Sequence, residues 1–142
     1  MKGNINKLRE LADLVLKEKG EILYFLGLIH RTDYEDKWDL LIIADWIKEN
    51  NSVDDLQYIL NCLNTVFTDT DFLKDVVLYK PDFYFSFELK KADSAEAFLE
   101  LKENQVALWD DGYITLVPIV NNLNELPDVE KVISKVDVTT SF

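Results

Sequence analysis

The sequence predicts a single α+β domain, a five- to six-stranded antiparallel or mixed sheet packed by two main helices plus shorter C-terminal helices. Three observations carry that expectation. Ile5, Leu8, Leu11, Ala12, Val15 and Leu16 recur at the 3.6-residue period of an amphipathic helix. The runs Ile22 to His30 and Trp38 to Ala44 are apolar on both faces, as strands in the middle of a covered sheet are. Asp110-Asp111-Gly112, set between Val106–Trp109 and Tyr113–Val117, carries the Asp-Gly step of a tight hairpin.

The first helix spans residues 5–19; Asn4 or Asn6 can cap its start and Gly20 can end it. The two apolar strands form the central hairpin through the polar turn Thr32 to Lys37, and Gly27 marks a bulge or the close approach of a helix. After Asp45, which suits an N-cap, a short helical turn follows. Ser52 and Asp55 then give the S-x-x-D start of a second helix. Val53, Leu56, Ile59, Leu60, Leu63 and Phe67 are expected to make its buried stripe.

Val76 to Tyr79 reads as a strand and Lys80-Pro81-Asp82 as a turn. Phe83, Phe85, Phe87 and Leu89 alternate with Tyr84, Ser86, Glu88 and Lys90, the period of a half-buried strand. Ser94 is expected to cap a short helix carrying Ala95, Phe98, Leu99 and Leu101. A final helix is expected from Asp128 to Val136, with a frayed tail over about 137–142. The 142 residues fit one domain, 1–142, and show no repeat, linker or low-complexity tract.

Composition excludes several classes of function. The chain holds 27 acidic and 15 basic residues, a formal charge of −12, which repels nucleic-acid phosphates and anionic lipid surfaces. Direct nucleic-acid binding and membrane association are therefore not expected. One cysteine, Cys62, and one histidine, His30, cannot build a structural zinc site or an internal disulfide. Charges interrupt the apolar residues near the N-terminus, so a signal-peptide core is absent there and the cytoplasm is the expected compartment. The four glycines are scattered at 3, 20, 27 and 112, which builds neither a phosphate-binding loop nor a dinucleotide fingerprint. No cofactor is expected.

Carboxylates gathered at the end of the central hairpin carry the chemical alternative. Asp33, Asp36 and Asp39, with Glu35 among them and Glu88 on a later element, are the candidate catalytic and metal-binding residues. Oxygen ligands of this kind suit Mg²⁺ and a phosphorylated substrate. The segment Asp36-Lys37-Trp38-Asp39-Leu40-Leu41-Ile42 is loosely similar to the strand that bears the metal-binding aspartates in nucleotidyltransferase-like domains. It lacks that family's Gly-Ser turn and preceding helix, and its aspartates stand three apart instead of two. The resemblance covers about a dozen residues and implies Mg²⁺ only under this alternative. His30 is a candidate general base because its ordinary pKa is near neutrality. A hairpin turn is equally polar because water reaches it.

Without a nucleophile signature, the sequence predicts a non-enzymatic protein-interaction module, binding a protein partner or itself. The alternatives are a metal-dependent phosphoryl or nucleotidyl transferase using the strand-end carboxylates, and an acidic nucleic-acid mimic. The mimic would present Asp54, Asp55, Asp69, Asp71, Asp75, Asp110 and Asp111 to a basic protein.

Overall fold

A computed structural model describes residues 2–31, 37–94, 98–101, 106–110 and 114–127. The elements are α1 (Lys2–Lys19), β1 (Leu23–Arg31), β2 (Trp38–Ala44), α2 (Val53–Val66), β3 (Leu73–Tyr79), α3 (Tyr84–Ser94), β4 (Phe98–Leu101), β5 (Val106–Asp110) and β6 (Ile114–Asn121). A 3-10 turn follows at Leu123–Glu125. The expected final helix and tail lie outside the described residues.

The fold is α+β with a mixed sheet. β2 and β1 pair antiparallel, β1 pairs antiparallel with β6, and β3 joins the far side of β2 in parallel. These four strands form the body of the sheet. β5 and β4 continue it past β6 in the order β3-β2-β1-β6-β5-β4. The parallel β2–β3 pair needs a crossover, and α2 supplies it.

Both faces are covered, which explains the unbroken apolar runs of β1 and β2. On one face α1 and α2 bury Leu8, Leu11, Val15, Ile59 and Leu63 against Leu26, Leu28, Leu40, Ile42 and Leu78. On the other, Phe25, Ile29, Leu41 and Ile43 pack with Leu89 of α3 and with Leu116, Leu123 and Leu126. The strict alternation along β2 sets Leu40, Ile42 and Ala44 to the first face and Leu41 and Ile43 to the second. Tyr24 and Phe25 both face the second side, where the β1–β2 register slips.

Gly27 sits at a register shift between β1 and β6, as a bulge requires. The close approach there comes from the sheet itself, not from a helix. A Cβ at this position would lie 2.6 Å from the Val117 carbonyl oxygen and 2.8 Å from the Phe25 ring.

Two expectations are corrected. Residues 84–94 form helix α3, not a strand. Phe85 and Leu89 stand four apart and pack inward, while Tyr84, Glu88 and Lys91 take the outer side, so the same residues satisfy a 3.6-residue period. Phe98–Leu101 is strand β4, paired antiparallel with β5, and Ser94 ends a helix instead of starting one. Asp45 also departs from its expected capping role. It stands in a turn, and its Oδ1 accepts the Tyr24 hydroxyl at 2.9 Å.

Candidate interaction groove

The hairpin carboxylates come first, because the sequence singles them out. Asp33 and Asp36, with Glu35, lie outside the described residues. Asp39 is 6% exposed on β2, in register with Ile29 and with Asp75 of β3. Glu88 belongs to α3, where its carboxylate lies 3.6 Å from Lys91. The fold thus sets Asp75, not Glu88, across from Asp39, a neighbour that only the β2–β3 register reveals. His30 stacks at a tilt on Trp38, with ring centroids 5.1 Å apart. Among the described residues no group of three or more His, Cys, Asp or Glu side chains gathers to hold a metal.

The carboxylates of the mimic reading separate along α2. Asp54 and Asp55 begin the helix, while Asp69 and Asp71 follow its end. Fourteen residues of helix set those groups about 20 Å apart. Asp110 ends β5, and Asp111 lies outside the described residues.

The feature that periodicity misjudges is the stripe on α2. Ile59, Leu63 and Phe67 are buried, whereas Leu60 is 44% and Val53 79% exposed. Leu56 and Leu60 stand beside a cleft of about 370 Å³ that runs between α2 and β3. Leu63, Thr70, Leu73, Lys74, Asp75 and Val76 complete its lining. An apolar cleft with a half-exposed leucine, Leu60, in its wall is a concave surface that can receive apolar side chains.

Both walls are fixed in place. On the helix side, the Tyr58 hydroxyl donates to Glu18 Oε1 at 3.0 Å. The Lys19 ammonium lies 4.2 Å from the Tyr58 ring centroid and 5.0 Å from that of Trp46, a cation–π clasp between α1, α2 and the turn after β2. Burial pushes the Tyr58 phenol and the Cys62 thiol up from their ordinary pKa values, so both stay protonated near neutral pH. Cys62 is buried beneath this clasp, as its place in the helix predicts. Burial and then Asp54 raise the Asp55 carboxyl, and Lys19 opposes them. Lys7 Nζ donates to the Val66 carbonyl at 3.2 Å, a cation at the end of α2.

On the strand side, parallel pairing to β2 holds β3. The entry to β3 is a tight turn, in which the Asp71 N–H donates to Asp69 Oδ1 at 2.8 Å and the Leu73 N–H to the Thr70 carbonyl at 2.9 Å. Lys37 Nζ donates to the Asp71 carbonyl at 2.8 Å and ties this turn to the start of β2. The cleft so built can take up apolar side chains. Its lining holds one carboxylate, one ammonium and one hydroxyl among five apolar residues, a set that suits binding, not bond-breaking.

Among the described residues no helix is long and apolar enough to cross a membrane. Comparison with protein-family models, with curated proteins and with solved structures finds no match to this chain.

Proposed function

We propose that this chain is a protein-interaction module that receives a basic partner protein in the cleft between α2 and β3. The observation that carries this reading is the partial exposure of Leu60 on α2, where it lines a largely apolar cleft between α2 and β3. Charge supports the choice of partner. A chain of formal charge −12 attracts a cationic protein over long range and repels a second copy of itself.

The test compares the tagged chain with its Leu60→Asp variant in capture from the native host. Leu60 is nearly half exposed, so the variant should keep the melting temperature of the wild type. One cationic protein recovered by the wild type, released by raised salt and lost from the variant is the expected result. Identical recovery by the two chains would refute the reading.

A further inference from the structure

We propose that Trp46 and Tyr58 form a binding corner for methylated ammonium groups, of the kind a trimethyl-lysine side chain carries, in which the chain's own Lys19 is the resident competitor. The inference is independent of the cleft, because neither ring lines it.

Three elements build the corner. Trp46 lies in the turn after β2, Tyr58 on α2, and Lys19 is the last residue of α1. The two ring centroids are 5.7 Å apart and the ring planes cross at 81°, which sets two walls at nearly a right angle. Lys19 Nζ lies 4.2 Å from the Tyr58 centroid and 5.0 Å from that of Trp46, so one cation is in range of both π-systems.

The surroundings favour positive charge without bonding it. Glu18 accepts the Tyr58 hydroxyl at 3.0 Å and the Cys62 thiol at 3.7 Å. Asp55 stands three residues before Tyr58 on the same face of α2, within the field of Lys19. The last carbonyls of α1 add partial negative charge. Among the described residues none accepts a hydrogen bond from the Lys19 ammonium or forms a close ion pair with it. The corner therefore holds its cation through ring faces and field alone.

That decides the chemistry of the ligand. A primary ammonium brings N–H donors that the corner leaves to solvent. A quaternary ammonium has none to satisfy and meets the ring faces with its methyl groups, so it gains most from such a site. Choline headgroups carry the same cation beside a phosphate, which Glu18, Asp54 and Asp55 repel, and this favours the lysine side chain. Exchange asks little of the fold. Lys19 is half-buried on a flexible stem, and Gly20, at φ 65°, ends the helix with its N–H on the Leu16 carbonyl at 3.0 Å whether or not the Lys19 side chain stays.

Tetramethylammonium, N-acetyl-trimethyl-lysine amide and phosphocholine are titrated into the isotopically labelled chain and its Lys19→Gln variant, with sodium chloride as the control for ionic strength. The Trp46 indole and Tyr58 amide signals read binding. In Lys19→Gln the first two probes should shift both signals saturably, with phosphocholine weaker; in the wild type each should bind about ten-fold more weakly, because Lys19 competes. Added to Lys19→Gln, Tyr58→Leu should abolish the shifts and Asp55→Asn should weaken them, the latter keeping the test open if the former does not fold. Shifts absent from Lys19→Gln, reproduced by sodium chloride, or indifferent to Asp55→Asn and Tyr58→Leu would overturn the site. Tighter binding of phosphocholine than of trimethyl-lysine would overturn the choice of a lysine side chain.

Discussion

Asn51 meets Leu78 twice, through its own N–H to the Leu78 carbonyl and through its Oδ1 to the Leu78 N–H, each at 2.8 Å. A loop side chain here takes the place of a missing neighbour strand. Asn51 holds φ at 54°, the left-handed region that asparagine tolerates better than most residues. The backbone of this loop and the edge of β3 thus depend on one residue.

Asn51→Ala loses the Leu78 bond and places a Cβ in the left-handed region, at a combined cost of about 2 kcal/mol. Asn51→Gly loses the bond but relaxes the backbone, at a cost of about 1 kcal/mol. Thermal unfolding should rank wild type above the glycine variant and the glycine variant above the alanine variant. Both variants lose the bond, so the reverse order of the two would show that the left-handed conformation carries no strain for an alanine here.

Gly27→Ala is expected to cost roughly 3 kcal/mol or more, because its methyl would sit 2.6 Å from the Val117 carbonyl in the middle of the sheet. A backbone carbonyl paired in a central strand cannot move aside as a flexible side chain does. The urea midpoint reads the loss, and a midpoint equal to wild type would mean that the β1–β6 register yields easily.

Tyr24 links the turn after β2 to alkaline stability. Its pKa is pushed up to about 12 from 10.0, first by burial and then by its bond to Asp45. Below pH 10 the phenol is protonated in both folded and unfolded chains, and its full contribution is present. As pH climbs from 10 toward 12 the unfolded phenol ionises first, so that contribution drains away. Tyr24→Phe should lose about 1 kcal/mol at neutral pH and show a shallower loss of stability between pH 10 and 12. Parallel alkaline curves for the two chains would contradict this.

The helices α1 and α2 and the strands β1, β2, β5 and β6 were legible because each writes its burial into local spacing. The polar turns at residues 32–36 and 111–113 lie outside the described residues, and the strands on either side of each pair antiparallel. Residues 83–90 misled because Phe85 and Leu89 fit both a two-residue and a four-residue repeat, and aromatic residues favour strands. Phe98–Leu101 misled because a four-residue segment takes its conformation from its partner, and its pairing with Val106–Trp109 is not local. The α2 stripe was legible as apolar, but spacing cannot tell which part of a stripe the rest of the fold reaches. Leu63 meets the core while Leu60, three residues earlier, stands at the cleft. The pairing of Asp39 with Asp75 and the closure of β3 by Asn51 depend on register and were invisible for that reason.

The most direct measurement is a map of backbone amide chemical shifts as the cationic partner recovered in capture is titrated into the isotopically labelled chain. Docking in the cleft predicts the largest changes at Leu56, Leu60, Thr70 and Val76, with α3 on the opposite face unmoved. Changes centred on α3, or spread along the acidic surface without a maximum at the cleft, would contradict it.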